Sequence, residues 1–232
     1  MKTALNIEKI FNQSNFFRGI SESYVADILE AGTIRILKTN DILFHQGDPA
    51  TRIYLVLKGQ LKLTKLHEAG KEAIIRYICP GELMAAVTVL KKGEYLVTAE
   101  VVSKTKVIGW GRQTILDLMN RYPQIAINML CIVLERIDDM QRRYLELSVE
   151  RTEQRIARSL LRIMQHAGQK SQDGIHVNFP NTRKDLAEYN GTTLYTVSRT
   201  LSAWEKKGWF KSRRNHITIT DPHQLVLLVE SE

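Results

Sequence analysis

The chain has 232 residues, of which 44% are hydrophobic and 25% are charged, proportions typical of a folded globular protein rather than of a disordered or fibrous one. Two cysteines, Cys79 and Cys131, are too few for a disulfide scaffold or for the four thiolates of an iron–sulfur cluster. Both lie in apolar stretches, so we expect buried free thiols. The formal net charge of +8 favours a polyanionic partner, and a merely solvated basic surface is the alternative.

No targeting or membrane segment is evident. Residues 1–20 lack a continuous apolar run followed by a cleavage site. No stretch of about 18 apolar residues is present to span a membrane. We therefore expect a cytoplasmic protein with no membrane partner.

A β-rich region follows a helix predicted at about 21–31. Between residues 33 and 110, short runs rich in β-branched residues alternate with glycines that recur every 11 or 12 residues. The runs are 53–57, 61–64, 73–78 and 97–102, and the glycines are Gly47, Gly59, Gly70, Gly81 and Gly93. Short strands separated by turns at this interval predict an antiparallel barrel or roll.

One long helix is predicted to begin near Pro123, because proline suits the first turn of a helix. Apolar residues then recur at alternating steps of four and three, which is a heptad repeat. The repeat comprises Ala126, Leu130, Val133, Ile137, Met140, Tyr144 and Leu147. Since the second half of the helix is too polar for burial within a domain, we predict that these residues form a parallel homodimer interface. Packing of the stripe on its own barrel is the alternative.

The last 82 residues carry thirteen Lys/Arg against eight Asp/Glu, a balance of +5. An amphipathic helix at 155–164, predicted to end near Gly168, and a short strand at 175–179 precede the most informative stretch, residues 182–202. There Thr182 and Asp185 have the spacing of a helix N-cap box. Gly191 has the position of a left-handed residue that ends the first of two helices.

The second helix of this stretch would be capped by Thr192 or Thr193 and buried on the first helix through Val197 and Leu201. Two short helices in this arrangement predict a helix-turn-helix, in which the second helix enters the major groove. Its outward face would carry the base-reading residues Tyr195, Ser198 and Arg199. An arginine there suits a bidentate contact with O6 and N7 of guanine. An ordinary helical hairpin is the alternative.

A basic hairpin is predicted after the second helix, which would end at Gly208. Two strands, 210–212 and 216–220, are joined by Arg213-Arg214-Asn215, and a hairpin with arginines at its tip is typical of a winged helix. We predict that residues at the helix starts and in the wing contact the DNA backbone rather than the bases. These residues are Thr182, Thr192, Thr193, Lys206, Arg213 and Arg214, and Lys207 and Lys211 add charge.

On these motifs nearly the whole chain resembles the Crp/Fnr superfamily of bacterial transcription regulators. Residues 41–48 and 53–59 resemble the first strands of its cyclic-nucleotide-type β-roll, and residues 196–199 resemble its recognition-helix signature. The resemblance implies an α+β fold with a sensory β-roll at 1–118, a dimerisation helix at 119–150 and a winged helix-turn-helix at 151–232. It also implies a homodimer on a two-fold symmetric DNA operator, with RNA polymerase as a further partner if the protein is an activator.

The chain departs from the family pattern at the segment that binds cyclic nucleotides. Counted from Gly81, the cassette positions hold residues 85–87, Ala-Ala-Val, and the arginine position holds Leu96 or Val97. The triplet Gly81-Glu82-Leu83 looks like the cassette but lies four residues too early. Without a cation for the cyclic phosphate and an acid for the ribose, we expect no cAMP response.

A second departure lies on the recognition helix. Many relatives have a glutamate four residues before the arginine, where this chain has Tyr195. A tyrosine hydroxyl can donate or accept a hydrogen bond, and its ring can pack on a thymine methyl. The base preference at that position therefore stays open.

The signal is not fixed by the sequence. An iron–sulfur cluster is not expected, because the chain has two cysteines and none in residues 1–15. Haem is an alternative, with His45, His67 or Cys79 as ligands, although a solvated surface is the commoner role of such histidines. An organic acid, a redox change at Cys79 and no effector at all stay open, and no metal site is predicted.

The sequence argues against two other classes of function. Sequence motifs for nucleophilic, nucleotide-hydrolysing or metal-dependent catalysis are absent, so we do not expect an enzyme. An effector-binding or scaffold protein with a degenerate DNA-binding domain is the second alternative. Ser198, Arg199 and the basic wing argue against it.

Overall fold

The computed structural model describes residues 14–177, 182–213 and 216–230. These residues group into two units. The first contains the described residues up to Lys71 together with Ile75–Met140, and the second contains Glu72–Ile74 together with the described residues from Gln141 onward. None of the helices in these ranges is long and apolar enough to cross a membrane.

The described part of the first unit contains a short 3-10 helix (Asn15–Phe17), strands and four α-helices. The last helix continues into the second unit, with which the first three residues of the fourth strand are also grouped. The elements are α1 (Glu22–Glu30), β1 (Thr33–Leu37), β2 (Ile42–Phe44), β3 (Arg52–Leu66), β4 (Glu72–Ile78), β5 (Leu83–Met84), α2 (Ala86–Leu90), β6 (Thr98–Gly111), α3 (Arg112–Arg121) and α4 (Gln124–Val149). Strands β1, β6, β3 and β4 lie side by side in that order, while β2 pairs with β6 and β5 pairs with β3. The β1, β2 and β3 pairings with β6 are antiparallel, so the predicted antiparallel roll is confirmed.

Gly59 lies inside β3, and the prediction of a turn there is wrong. The register between β3 and β6 shifts around Lys58 and Gln60, which is the signature of a β-bulge. Gly59 has φ of +85°, and a Cβ at this position would overlap the carbonyl oxygen of Lys104. A bulge and a turn both require a positive φ, so the glycine spacing alone does not distinguish them.

Buried aromatic rings form much of the core of the roll. Trp110 donates its indole N–H to the carbonyl of Ile28 at 2.7 Å, which fastens α1 to the end of β6. Phe44 stacks on Tyr95 with ring centroids 3.9 Å apart, and the Phe44 ring lies 6.0 Å from that of Tyr54. The Tyr95 hydroxyl is hydrogen-bonded to the backbone of Arg52, so its polar end is also satisfied.

The long helix begins directly after Pro123, as predicted. Its first turns bury Ile125, Asn128 and Met129, and the Asn128 amide donates to the carbonyls of Phe16 and Arg18 at 2.9 Å each. Cys131 is exposed, because it lies off the buried face of the helix, so our prediction of two buried thiols is wrong for this residue. Cys79 is buried as predicted.

The second unit contains the end of α4 and a set of short elements. These are α5 (Thr152–Ala167), β7 (Gly168–Ser171), β8 (Gly174–Val177), α6 (Arg183–Tyr189), α7 (Leu194–Lys206), β9 (Phe210–Arg213), β10 (His216–Ile219) and α8 (Pro222–Glu230). The strands form one sheet in the order β7-β8-β10-β9, with antiparallel pairings. The last two residues of the strand predicted at 175–179 lie outside the described residues.

Candidate nucleic-acid interface

The first helix of the motif, α6, begins with the predicted capping box. The Thr182 hydroxyl accepts from the backbone N–H of Asp185 at 3.0 Å, and the Asp185 carboxylate accepts from the backbone N–H of Thr182 at 3.0 Å. Two backbone donors at the helix start are thereby satisfied. The box fixes where α6 begins.

The turn between α6 and α7 is tight and internally bonded. Gly191 has φ of +58°, the left-handed conformation that the sequence predicts. Asn190 is buried and donates to the Leu186 carbonyl at 2.8 Å and to the Ser159 hydroxyl at 3.0 Å. Thr193 caps α7 by accepting from the N–H of Thr196 at 3.1 Å, which decides between the two candidate caps.

The second helix, α7, has one buried face. Val197, Leu201 and Trp204 are buried there, as the spacing of the first two predicts. The indole N–H of Trp204 donates to the Glu153 carboxylate at 2.8 Å, so this side of α7 is also fixed to the start of α5. The opposite face is left for contacts outside the unit.

The three predicted base-reading residues differ in exposure. Tyr195 is 73% exposed, Arg199 is exposed and Ser198 is half-buried. The Arg199 guanidinium carbon lies 5.9 Å from the centroid of the Tyr195 ring. The two outermost side chains are therefore neighbours on one face of α7.

Arg183 joins the two helices, and no local sequence pattern predicts this role. Its guanidinium donates to the Ser198 carbonyl at 3.4 Å and to the Ser202 hydroxyl at 3.3 Å, and it lies 4.0 Å from the Glu205 carboxylate. The partners are 15 to 22 residues away in sequence, so the contact depends on the packing of α6 on α7. Arg183 is thus held along the helix pair.

The predicted backbone-contacting residues lie at the start of α6, at the start of α7, at the end of α7 and in the wing. Thr182 and Thr193 are exposed at the starts of α6 and α7, Thr192 is half-buried between the helices, and Lys206 is exposed at the end of α7. Arg213 is the last residue of β9, and Arg214, at the predicted tip, lies outside the described residues. Helix starts present unpaired N–H groups that suit phosphate oxygens.

In the roll, the charged residue of the cassette-like triplet is already engaged. One oxygen of the Glu82 carboxylate pairs with Arg76, and the other accepts from the backbone N–H of Cys79 at 2.6 Å. Leu96 is exposed and Val97 is half-buried, and neither provides a cation. The half-buried Arg136 of α4 donates to the Leu83 carbonyl, and desolvation lowers the pKa of this guanidinium to about 10.

The candidate haem ligands are two exposed histidines and a buried thiol. His45 and His67 both lie on exposed loops, and the His67 ring accepts from the backbone N–H of Ala69 at 3.1 Å. Burial, with a smaller effect of the Glu82 carboxylate, raises the pKa of the Cys79 thiol to about 12. Since the thiolate is the metal ligand and the redox-active form, this donor set fits haem poorly. No group of three metal-ligating side chains occurs in the part of the chain that the structure describes.

The predicted dimer residues lie on an apolar face of α4 that the chain itself leaves exposed. Leu130, Ile137, Met140, Tyr144 and Leu147 are exposed, as is the small Ala126, whereas Val133 is half-buried. The structure shows four further exposed large apolar residues of α4 that the heptad assignment omits, namely Ile127 at 54%, Leu134 at 52%, Leu145 at 58% and Val149 at 77% exposure. Ile127, Leu130, Leu134 and Ile137 also follow steps of three and four. The sequence therefore contains two overlapping apolar repeats. Because Ile125 and Met129 are buried, the repeat that lies opposite these two residues is the one that faces outward.

A β-roll followed by a long helix and a winged helix-turn-helix defines a class of DNA-binding transcription regulator. Residues 34–122 match the cyclic nucleotide-binding domain family, and residues 154–228 match the Crp-like helix-turn-helix domain family. The chain belongs to the Crp/Fnr family of transcription regulators, which confirms the family resemblance.

Curated relatives are transcription regulators rather than enzymes, and this confirms the non-enzyme prediction. The chain is 29% identical over 195 residues to the cyclic AMP receptor protein of Thermus thermophilus, covering 84% of this chain and 87% of the relative. It is 26% identical over 194 residues to the transcriptional activator protein Anr of Pseudomonas aeruginosa, covering 84% of this chain and 79% of the relative.

Solved structures share the fold. The structure of FixK2 from Bradyrhizobium japonicum matches with a TM-score of 0.75 at 22% identity, covering 87% of this chain and 98% of that one. The predicted α+β architecture, a roll with a long helix and a helix-turn-helix domain, is confirmed.

Proposed function

We propose that this regulator binds a palindromic DNA operator as a homodimer and responds to a signal other than a cyclic nucleotide. The observation that carries the proposal is the exposed face of α7, where Tyr195 and Arg199 lie opposite the buried Val197 and Leu201. A recognition helix needs one buried and one exposed face, because the buried face holds the helix on its domain while the exposed face reaches the base edges.

Within the proposal, Arg199 reads guanine and Tyr195 reads the neighbouring base. A guanidinium donates two parallel hydrogen bonds to guanine O6 and N7, which adds roughly 1–3 kcal/mol of discrimination against other bases. Ser198, half-buried on the same helix, contributes a hydroxyl at the edge of this surface. The exposed Thr182, Thr193 and Lys206, with Thr192, Arg213 and Arg214, contact phosphates, which adds affinity without sequence preference.

The apolar face of α4 forms the dimer interface in this proposal. An exposed row of large aliphatic residues at heptad spacing is typical of a helix that pairs with a second copy. Because Ile125 and Met129 face the roll, the residues opposite them face outward. We place Ile127, Leu130, Leu134 and Ile137 at the centre of the interface and Ala126, Val133 and Met140 at its edge.

The side chains in and around the cassette-like segment of the roll support a signal other than a cyclic nucleotide. Glu82 is paired with Arg76 and the Cys79 backbone, and the core contains the stacked rings of Phe44 and Tyr95. A cyclic phosphate needs a cation within hydrogen-bond distance, and Leu96 and Val97 supply none. The relative from Thermus thermophilus is named as a cyclic AMP receptor protein, so this chain would differ from it in its effector.

Selection of binding sequences from a random DNA duplex pool tests the function directly. We expect ligand-free protein at about physiological salt to enrich a palindrome whose half-sites are about one helical turn apart. The selection is repeated with cAMP and, separately, with haem and nitric oxide. Enrichment only with cAMP would contradict the proposed signal class, and no enrichment under any condition would favour a binding protein with a degenerate DNA domain.

The dimer interface has its own test, with a matched pair of substitutions. Leu134→Glu and Ile137→Glu place a charge at the centre of the proposed interface, and light scattering should show monomers. Val133→Glu, adjacent in sequence but half-buried at the edge, should leave a dimer. A monomer from Val133→Glu with a dimer from Leu134→Glu would favour the other heptad assignment.

A further inference from the structure

The end of α4 contacts the turn of the helix-turn-helix motif. We infer that Arg143 is a positioning residue for DNA reading, which fixes the turn between α6 and α7 on the last two turns of α4. The inference rests on the proposed function, because it concerns how a dimer presents its two recognition helices to an operator.

Two contacts hold Arg143 on the last residue of α6. The guanidinium carbon lies 4.1 Å from the centroid of the Tyr189 ring, well within the range of a cation–π interaction. One terminal nitrogen also donates to the Tyr189 carbonyl at 3.3 Å. This carbonyl belongs to the last turn of a helix, where oxygens lack a partner within the helix. Arg143 thus both stacks on and caps the end of α6.

Leu147 extends the contact from Arg143 to the turn itself. It lies four residues after Arg143, and residues at this spacing share one face of a helix. Its Cδ2 is 3.9 Å from the position that a Cβ of Gly191 would occupy. One face of α4 therefore contacts Tyr189 and lies close to the glycine that reverses the chain.

Ion pairs fix the same side of the end of α4 to α5, since Glu146 and Glu150 follow Arg143 by three and seven residues. Glu146 pairs with Arg162 and lies 3.7 Å from Arg158, whose guanidinium also pairs with Glu150 at 2.6 Å. The two acids are only 13–14% exposed, so solvent screens these pairs less than pairs on an open surface. The end of α4 therefore has a fixed rotation relative to α5.

Helix α5 completes the support of the turn. Its Ser159 hydroxyl accepts from the Asn190 amide at 3.0 Å, next to Tyr189 and Gly191. Three helices thus converge on a turn of four residues that ends where α7 begins. Because α7 starts at Leu194, a change in the turn alters the direction of the recognition helix without altering any base-reading side chain.

This arrangement predicts which property of DNA binding Arg143 controls. In a dimer joined through α4, the end of that helix sets the separation and tilt of the two copies of α7. Loss of the Arg143 contact should weaken the preference for one half-site spacing. Loss of this contact should not change the number of phosphate contacts, because the Arg143 guanidinium contacts Tyr189.

The test compares three duplexes for the full-length protein: the selected operator, the same operator with one base pair inserted between half-sites, and a scrambled sequence. For Arg143→Ala we expect roughly tenfold weaker binding to the operator, about the strength of a partly desolvated cation–π contact. We also expect a smaller ratio between operator and inserted operator. Affinity for the scrambled duplex and the salt slope should be unchanged.

Two controls separate positioning from folding. Arg142→Ala removes an adjacent, exposed arginine from a different face of α4 and should leave the spacing preference as in the wild type. Tyr189→Leu removes the ring but keeps the carbonyl, and it should reproduce part of the Arg143→Ala effect without adding to it in the double variant. Thermal unfolding of each variant shows whether it is folded, and a folding defect alone would lower all three affinities together.

The opposing outcomes are distinct. A reduced salt slope in Arg143→Ala would show that Arg143 contacts a phosphate and would overturn the inference. An unchanged preference for half-site spacing, with additive effects of Arg143→Ala and Tyr189→Leu on operator affinity, would also overturn it. A wild-type protein without preference for any palindrome would overturn the proposed function itself.

Discussion

The roll and the helix-turn-helix differ in whether the charged residues of their motifs are already paired within the protein. In the roll, Glu82 of the cassette-like triplet is held by Arg76 and by a backbone N–H. In the second unit, here called the reading unit because it contains the proposed recognition helix, Arg199 is exposed on the outer face of α7 beside the Tyr195 ring. A charge that is already paired costs free energy to redirect to a ligand, whereas an exposed guanidinium is available to one. A family motif is therefore informative about binding only when its polar atoms are left unsatisfied by the fold.

The largest expected effect is the difference in labelling rate between the two cysteines, which tests whether solvent reaches the interior of the roll. Cys79 has a pKa raised by burial to about 12 from an ordinary 9.0, so its thiolate fraction at neutral pH is about a thousandfold lower than that of an ordinary thiol. We expect maleimide to label exposed Cys131 rapidly and Cys79 only after unfolding, as mass spectrometry of tryptic peptides would show. Rapid labelling of Cys79 in the folded protein would mean that this part of the roll opens.

The same raised pKa implies a dependence of stability on pH. The folded state holds the Cys79 proton more tightly than the unfolded state, so the contribution is fully present below about pH 9 and is lost as pH rises towards 12. The free energy of unfolding should fall by about 1.4 kcal/mol per pH unit in this window from this group. Cys79→Ser should reduce the slope in urea titrations, whereas Cys131→Ser serves as the control and should not.

Arg199→Ala removes the charge that the reading unit leaves exposed. We expect roughly tenfold to hundredfold weaker specific binding per half-site, because a bidentate contact to guanine is lost. Non-specific, salt-sensitive binding should persist. Fluorescence anisotropy should then give similar affinities for the selected and scrambled duplexes. Arg199→Lys keeps the charge without the planar donor pair and should recover only part of the preference for the selected duplex. If the alanine variant keeps the full preference, base reading by Arg199 is contradicted.

Glu82→Gln tests the corresponding residue in the roll. The carboxylate is 30% exposed and its partner Arg76 is 25% exposed, so we expect a modest loss of about 1 kcal/mol in the free energy of unfolding. Operator preference should be unchanged, since the residue serves the packing of its own loop. Altered operator binding with unchanged stability would instead place Glu82 in the signalling route.

The smallest effect is expected at the wing. Arg213→Ala and Arg214→Ala should each lower the slope of log affinity against log salt by roughly one unit, without changing the preferred sequence. Lys170→Ala, in the strand at the far edge of the same sheet from β9, is the matched control. An unchanged slope in both wing variants would remove the wing from the phosphate surface.

Local rules were sufficient for much of the reading unit. The Thr182 box, the left-handed Gly191 and the burial of Val197 and Leu201 depend on residues within about four positions of one another. Capping, turn conformation and helix periodicity act over such distances. The family resemblance likewise depended on local stretches, residues 41–48, 53–59 and 196–199 and the heptad helix, so fold and class could be predicted from the sequence.

Long-range pairing decided what the local pattern left ambiguous. Gly59 is a bulge rather than a turn because β6 pairs across it, and Cys131 is exposed because Ile125 and Met129 take the buried side of α4. Neither fact is encoded within a few neighbouring residues. The contacts of Arg183 with Ser198 and of Arg143 with Tyr189 join residues that are 15 and 46 positions apart. Local sequence patterns predict most of the helices and strands and the helix-turn-helix motif, because capping and periodicity act between near neighbours. The packing of helices and strands sets which polar groups are paired and which stay exposed, because those contacts join residues far apart in the sequence.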